Sequence, residues 1–237
     1  SIVVPVYNES DSIRLLINEI INVMKSNQLL FELIIVNDGS VDSTSNVLEN
    51  LSIEIKQLTV INLRKNYGQT AALAAGFDHS NGDIIVTLDG DLQNDPNDIP
   101  KLITNINEGY DLICGWRFQR KDKLLNRRIP SQIANRLIGN VTGIHLHDYG
   151  CSLKAFKHEI IKDIKLYGEL HRFLPVLANI EGAKIKEIKV NHRSRKYGQS
   201  KYGIDRTFRV LMDLLTVWFM NKFLTRPMYV FGFIGII

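Results

Sequence analysis

Short apolar runs alternate with longer amphipathic stretches through the first half of the chain. The runs are rich in β-branched residues, which is typical of strands that are buried on both faces of a sheet. They predict strands at Ile2–Val6, Phe31–Val36, Leu58–Leu63, Ile84–Leu88 and Leu112–Trp116. The stretches between them predict helices, and this alternation favours an α/β fold with a parallel sheet and right-handed crossovers.

The second half of the chain is more basic and predicts two long helices and one strand. The helices are Leu124–Thr142 and Ile204–Phe223, and the strand is Ile185–Val190. The second helix has a high apolar content, and its basic residues cluster near its start. We interpret it as an interfacial helix at a membrane surface. A helix packed on the sheet is the alternative.

The last stretch, Met228–Ile237, is uncharged and apolar. It is shorter than the roughly 20 residues that span a bilayer. We expect it to be the truncated start of a transmembrane helix, and a buried C-terminal strand is the alternative. The predicted division is a globular domain at 1–202, an amphipathic juxtamembrane helix at 203–226 and the start of a transmembrane segment at 227–237.

Polar clusters follow four of the predicted strands. They are Tyr7-Asn8-Glu9, Asn37-Asp38-Gly39, Asp89-Gly90-Asp91 and Gly115-Trp116-Arg117. The carboxyl ends of parallel strands meet at one edge of a sheet, where ligands bind in open α/β folds. The four clusters together therefore predict a binding site at that edge.

The acidic cluster has the chemistry of a metal site. Asp89 and Asp91 end a buried strand, where two carboxylates are costly unless a positive group lies beside them. Hard oxygen ligands suit Mg²⁺ or Mn²⁺, and Gln93 adds a neutral oxygen. Gly90 allows a tight turn or a close approach by another group. A plain polar turn before the next helix is the alternative interpretation.

Charge and missing motifs narrow the ligand class. The net charge is +4, but basic residues concentrate at 117–128 and 184–209, which indicates an anionic ligand or surface. The usual glycine-rich cradles for dinucleotides and phosphates are absent, so metal and basic side chains must bind any phosphate.

The two cysteines are too few for a disulfide framework and fit a reducing cytosol. No nucleic-acid motif is present, so a nucleic-acid partner is not expected.

The four polar clusters that follow the predicted strands, taken together, resemble the motifs of the family 2 inverting glycosyltransferases, which have the GT-A fold. That fold is a Rossmann-like, mostly parallel sheet flanked by helices, and the resemblance assigns it to residues 1–202. Three later stretches look like the polyprenyl-phosphate branch, which is similar to dolichyl-phosphate-mannose synthase and includes bacterial enzymes that make undecaprenyl-phosphate-linked sugars. The stretches are Asp148–Lys154, Gly168–Phe173 and Arg195–Tyr202.

The resemblance implies a role for individual residues. Positions that bind the nucleotide-sugar correspond to Pro5, Tyr7, Glu9, Asp38, Asp89, Gly90, Asp91 and Arg117. Asp91 and Gln93, with Asp89 beside them, correspond to the site for Mg²⁺ or Mn²⁺, and Asp148 to the proposed general base. Positions that bind the acceptor phosphate correspond to Arg128, Ser131, Arg195 and Lys201. Asn37 departs from the pattern, because many relatives have a second Asp there.

The expected reaction transfers a sugar to a polyprenyl phosphate. UDP-glucose is the first candidate donor, followed by UDP-N-acetylglucosamine, UDP-linked aminoarabinose and GDP-mannose. The acceptor phosphate has a second pKa near 6 and is mostly a dianion at pH 7, so it is already a nucleophile. The main need is to neutralise the leaving nucleoside diphosphate. The expected location is the cytoplasmic face of a membrane, the inner membrane in a bacterium, and a homo-oligomer remains open.

Two alternative functions remain, one within the enzymes and one from another class. One is a processive polysaccharide synthase of the same fold, but that group carries Gln-x-x-Arg-Trp, and neither Trp116 nor Trp218 follows an arginine. The other is a non-catalytic module that binds anionic membranes, which would not require Asp89 and Asp91.

Three smaller alternatives concern single residues. His145 and His147 could chelate a metal, Trp116 fits packing better than sugar binding, and Asp148 could cap a turn.

Overall fold

The sheet has seven strands in the order β3-β2-β1-β4-β6-β5-β7. The computed structural model describes residues 1–118, 129–194, 205–223 and 227–236. The strands are β1 (Ile2–Val6), β2 (Leu33–Asn37), β3 (Leu58–Asn62), β4 (Ile84–Thr87), β5 (Leu112–Arg117), β6 (Lys154–Lys157) and β7 (Ile185–Val190). Only β6 runs antiparallel to its neighbours among these strands, so the prediction of a mostly parallel α/β sheet is confirmed.

Helices cover both faces of the sheet. They are α1 (Ile13–Ser26), α2 (Thr44–Glu54), α3 (Gln69–Asp78), α4 (Ile99–Asn107), α5 (Ile129–Thr142), α6 (His158–Lys162), α7 (Leu174–Ile180), α8 (Asp205–Phe223) and α9 (Met228–Ile236). Alternate residues of β1 separate the two cores: Val4 packs with α1, α2 and α4, and Val3 packs with α3, α6 and α7. Burial of both strand faces explains the nearly continuous apolar runs.

Strand β6 was not predicted from the sequence. It lies between β4 and β5, with Ala155 opposite both Val86 and Ile113. It is only four residues long, and lysines stand at both of its ends. Burial of its central residues, Ala155 and Phe156, comes from packing against strands that are distant in the sequence. Local hydrophobic patterning therefore did not identify it.

Helix α8 packs against α5 and α7. Leu214 and Val217 of α8 join a third apolar cluster with residues of α5 and α7, including Ile138 and Val176. Residues 228–236 are helical, so the alternative of a C-terminal strand is wrong. None of the helices within the described ranges is both long and apolar enough to cross a bilayer.

Candidate active site

The four polar clusters meet at one edge of the sheet, as predicted. Strands β1, β2 and β4 are parallel, so their carboxyl ends lie together. Both β4 and β5 run antiparallel to β6, which places the end of β5 at the same edge. The segments that begin at Tyr7, Asp38, Asp89 and Arg117 therefore surround one site.

The loops after β1 and β2 are joined by hydrogen bonds. The backbone N–H of Asn8 donates to Ser40 Oγ at 2.9 Å, and Asn8 Oδ1 accepts from the Val41 N–H at 2.9 Å. Asn8 has a φ of 54°, in the left-handed region that non-glycine residues seldom adopt. Pro5, Tyr7 and Glu9, which were predicted to bind the nucleotide, are half-buried along this segment.

Asn37 has a physical reason to differ from aspartate. Its side-chain Nδ2 donates to Asn62 Oδ1 at 2.9 Å and to Ser45 Oγ at 2.8 Å, while its Oδ1 accepts from the Ser40 N–H at 3.1 Å. A carboxylate has no donor and would face the Asn62 oxygen. The neutral amide can therefore both donate and accept the hydrogen bonds that hold the loop after β2.

Asp38 binds the loop that leads into α3. Its Oδ1 accepts from the Tyr67 N–H at 2.7 Å, and its Oδ2 accepts from the Gly68 N–H at 2.9 Å. Burial raises the pKa of this carboxyl, and the two backbone hydrogen bonds oppose that rise only in part. Asp38 thus orders the loop at 67–68, and its contact with a nucleotide stays a prediction.

The acidic loop after β4 is tightly folded. Asp91 Oδ1 accepts from the Gln93 N–H at 3.1 Å, and Leu92 between them has a φ of 62°. A left-handed leucine is strained, and such strain is concentrated at functional sites. Asp91 is only 8% exposed, so an ionised carboxylate here favours a cation beside it.

Gly90 permits the close approach of this loop to β1. A Cβ at Gly90 would lie 2.7 Å from Val6 Cγ1, well inside van der Waals contact. We expect Gly90→Ala to lower the free energy of unfolding by about 1–3 kcal/mol, as overpacked core substitutions do, and to reduce activity. Urea denaturation would measure the first effect. Gly235→Ala is the control, because nothing lies within 4 Å of that Cβ. Wild-type stability of Gly90→Ala would show that the contact relaxes freely.

Asp89 is held in place from α3. Gln69, the first residue of that helix, donates from Nε2 to Asp89 Oδ1 at 2.8 Å. The Asp89 N–H donates to Asn94 Oδ1 at 3.1 Å, and the same oxygen accepts from Ser152 Oγ at 2.8 Å. The sequence analysis missed Gln69, Asn94 and Ser152, because only the three-dimensional structure shows which side chains contact the acidic loop.

The donor set fits a hard divalent cation. Asp89, Asp91 and Gln93 present only oxygen ligands, which suits Mg²⁺ or Mn²⁺ better than softer metals. In the described ranges no group of three or more His, Cys, Asp or Glu side chains is arranged to bind a metal. Two carboxylates and an amide leave other coordination positions to water and phosphate, as is usual for Mg²⁺.

His147, one of the two histidines considered as metal ligands, contacts Glu187 and stacks on Trp116, with the two ring centroids 4.1 Å apart.

Arg117 and Asp148 form a bidentate ion pair. Arg117 Nε donates to Asp148 Oδ2 at 2.7 Å, and Nη2 donates to Oδ1 at 2.8 Å. The backbone N–H of Arg117 also donates to Oδ2 at 3.3 Å. Burial alone would lower the pKa of Arg117, but the bonds to Asp148, with a smaller contribution from Asp89, hold it above its ordinary value. Both oxygens of the predicted base therefore bind a guanidinium.

The basic stretch at 184–209 contacts the acidic loop at Arg193. The Arg193 N–H donates to the Gln93 carbonyl at 2.8 Å, and the Arg193 side chain bridges Glu19 at 2.6 Å and Asp95 at 2.8 Å. The predicted acceptor ligands Arg195 and Lys201 follow, but they lie outside the described residues, as does Arg128. Ser131 lies in α5, whose side chains at that point are not described.

Comparisons with known proteins place these features in a family context. Residues 1–165 match the model of glycosyl transferase family 2. A dodecaprenyl-phosphate galacturonate synthase from Rhizobium johnstonii is 47% identical over 240 residues, covering 100% of this chain and 71% of the relative. An undecaprenyl-phosphate 4-deoxy-4-formamido-L-arabinose transferase from Shewanella sediminis is 39% identical, covering 99% of this chain and 70% of the relative.

A solved structure has a similar fold. Glucosyl-3-phosphoglycerate synthase from Mycobacterium tuberculosis, in complex with Mn²⁺, UDP and phosphoglyceric acid, superposes with a TM-score of 0.69. The alignment covers 93% of this chain and 77% of the other, at 18% sequence identity. At this identity the likeness shows the shared fold alone.

Proposed function

The chain belongs to glycosyl transferase family 2, with the GT-A fold, and we propose that it transfers a sugar from a nucleotide-sugar to a polyprenyl phosphate. The names of two relatives that cover nearly the whole chain, a galacturonate synthase and a formamido-arabinose transferase, give polyprenyl phosphates as the carriers. A processive synthase of the same fold has no such support.

One observation carries the proposal: the acidic loop and the fixed guanidinium of Arg117 lie at the same sheet edge. Asp89 follows β4 and Arg117 ends β5, and both of these strands pair with β6 in the antiparallel sense, so their carboxyl ends lie at one edge. An oxygen-only cation site beside an arginine suits two phosphorylated substrates, because each needs its negative charge balanced. A neutral acceptor would need only one of these two features.

In the donor site, the nucleotide contacts are Pro5, Tyr7, Glu9 and Asp38. The diphosphate contacts are Asp89, Asp91 and Arg117. Asp91 and Gln93, with Asp89 beside them, would hold the divalent ion. That ion would supply Lewis-acid stabilisation of the leaving diphosphate. Gln69 and Asn94 keep Asp89 in a fixed orientation, which preorganises the site before substrate binds.

The acceptor phosphate is its own nucleophile. One of its oxygens attacks the anomeric carbon, the bond from that carbon to the donor phosphate oxygen breaks, and the nucleoside diphosphate leaves with the electron pair. A dianionic phosphate has no proton to lose, so the step needs no strong base. Asp148 holds Arg117 through both oxygens, and we assign it to positioning that cation.

The membrane-facing side is proposed to include α8 and α9. Met212 and Leu215 of α8 and Tyr229 and Phe231 of α9 are exposed, although such side chains are costly in water. A polyprenyl acceptor is carried in a bilayer, so the site must work at its surface. Residues 1–202 would form the catalytic domain and 203–226 the amphipathic helix beside the membrane.

UDP-glucose has no support as the donor, since the names of the relatives give galacturonate and 4-deoxy-4-formamido-L-arabinose. We propose galacturonate as the transferred sugar, because that relative has the higher identity, 47% against 39%. A panel of nucleotide-sugars tests this: the full-length protein, Mn²⁺ and undecaprenyl phosphate are incubated with UDP-galacturonate, UDP-4-deoxy-4-formamido-L-arabinose, UDP-glucose or GDP-mannose. We expect lipid-linked sugar from the first donor, and product only from one of the other three donors would overturn the assignment.

A further inference from the structure

A carboxylate on the edge strand β7 binds the turn that carries Asp148. Glu187 Oε1 accepts from the Asp148 N–H at 2.9 Å. Its Oε2 accepts from the His147 N–H at 3.0 Å and contacts His147 Nδ1 at 2.6 Å. The Glu187 side chain is 10% exposed and the His147 side chain is 65% exposed, so the bond to the Asp148 N–H is the most shielded of these contacts.

The position of Glu187 is fixed by the sheet. It lies opposite Cys114 in the parallel pairing of β5 with β7, and Arg117 lies opposite Val190 in the same register. The strand that presents Arg117 is therefore joined to the strand that presents Glu187. The turn at 147–148 lies between the two side chains and is bound by both.

The contacts form a continuous chain from β7 to the candidate active site. Glu187 fixes the backbone of Asp148, and the carboxylate of Asp148 fixes the guanidinium of Arg117 through two hydrogen bonds. Asp148 is 4% exposed, which leaves its side chain little freedom to move independently of its backbone. A displaced backbone at Asp148 therefore displaces Arg117.

We propose that Glu187 is a positioning residue for the transfer reaction, acting through Asp148 to orient Arg117 toward substrate phosphate. The proposal deepens the function proposed above and rests on it. Glu187 acts through the N–H groups of the turn rather than on a reacting atom. Like charges on Glu187 and Asp148 oppose this arrangement, and the cation of Arg117 offsets that cost.

The test is a double-mutant cycle with Glu187→Gln and Arg117→Ala in the full-length protein. An amide keeps the size of the side chain, but it replaces one acceptor oxygen by a donor that faces N–H groups. We expect Glu187→Gln alone to lower kcat/KM on the order of 10- to 100-fold, because a misplacement of about 1 Å can cost 10²-fold. In the Arg117→Ala background the same change is expected to cost less than about threefold.

Glu108→Gln is the matched control. Glu108 pairs with Lys186, the neighbour of Glu187 on the same strand, at 3.4 Å, and it is exposed. We expect wild-type kinetics from this variant. Thermal unfolding of each protein checks that the variants fold, and Glu187→Asp, which shortens the reach of the carboxylate, replaces Glu187→Gln if the amide variant does not fold.

Binding of UDP with Mn²⁺, measured by calorimetry over the same cycle, separates this proposal from the proposed function. We expect Glu187→Gln to weaken binding about tenfold in the wild-type background and not in Arg117→Ala. A protein that shows this coupling without transferring sugar to polyprenyl phosphate would retain the inference and lose the proposed function. Equal losses in both backgrounds, or wild-type behaviour of folded Glu187→Gln, would overturn the inference.

Discussion

Replacing Asp91 by alanine is expected to abolish transfer while the sheet still folds. The side chain is buried in a strained loop, and it supplies one of two carboxylates to the proposed cation site. A metal ion supplies several kcal/mol of charge stabilisation in a transition state. Loss of this stabilisation is expected to lower the rate by about a thousandfold or more, because each 1.36 kcal/mol, roughly, added to the activation free energy slows the reaction tenfold.

Rate measurements and a Mn²⁺ titration would check this expectation together. Asp91→Ala should lose both turnover and Mn²⁺ affinity, and its thermal midpoint should stay near that of the wild type. Asp78→Ala is a suitable control, because Asp78 is an exposed carboxylate at the end of α3. Near-normal turnover by Asp91→Ala with divalent ions chelated would show that the reaction does not depend on this carboxylate.

Arg117→Ala is expected to give the second large effect. A charge-assisted hydrogen bond to phosphate contributes about 1.5–3 kcal/mol, which corresponds to roughly 10- to 150-fold in affinity. The substitution also removes the bidentate partner of the buried Asp148 carboxylate, and breaking a buried ion pair typically destabilises a fold by about 3–5 kcal/mol. Kinetic and urea-denaturation measurements should therefore both change. Unchanged affinity for donor and acceptor would remove Arg117 from the binding site.

Asp148→Asn separates positioning from base catalysis. If Asp148 is a positioning residue, the amide of this variant would retain one acceptor oxygen for Arg117, and the rate would fall less than in Arg117→Ala. Raising the pH from about 6 to 8 should then partly restore the rate, because the acceptor phosphate loses its second proton in that range. A general base contributes on the order of 10²–10⁴ in rate. A loss at the upper end of that range, constant across this pH window with saturating acceptor, would establish Asp148 as the base.

The described strands other than β6, and the edge at which their polar ends meet, were predictable from the sequence. The apolar runs at Ile2–Val6 and Ile84–Leu88 identify strands because both faces are buried, and the parallel topology then brings their polar ends together. The strand limits agree within two residues, as for the predicted Phe31–Val36 and the observed Leu33–Asn37. Local patterning is sufficient for these features.

The contacts between segments were not predictable in the same way. Asp148 and Arg117 are separated by 31 positions, and the sequence analysis gave them separate roles, as base and as phosphate ligand. Their pairing depends on where the unpredicted strand β6 places the turn before it. The bond from Gln69 to Asp89 spans 20 positions and likewise depends on packing. Motifs located the site, and only the fold shows which side chains hold one another.

The identity of the transferred sugar could not be predicted from the motifs, for a related reason. The motifs describe the metal, phosphate and nucleotide positions, which donors with different sugars share. The prediction of UDP-glucose was therefore not based on any residue of the sequence. The names of two relatives that cover nearly the whole chain contain other sugars. Sugar selection depends on side chains that face the ring substituents in which the sugars differ, which the motifs do not describe.

In the proposed reaction an acceptor phosphate oxygen attacks the sugar. The direct measurement compares undecaprenyl phosphate with undecaprenol as acceptors for the full-length protein, with labelled UDP-galacturonate and Mn²⁺, and examines the lipid product by mass spectrometry and ³¹P NMR. We predict product from the phosphate alone, with the sugar joined through a phosphodiester. Transfer to undecaprenol, or a sugar polymer formed without lipid phosphate, would contradict the account.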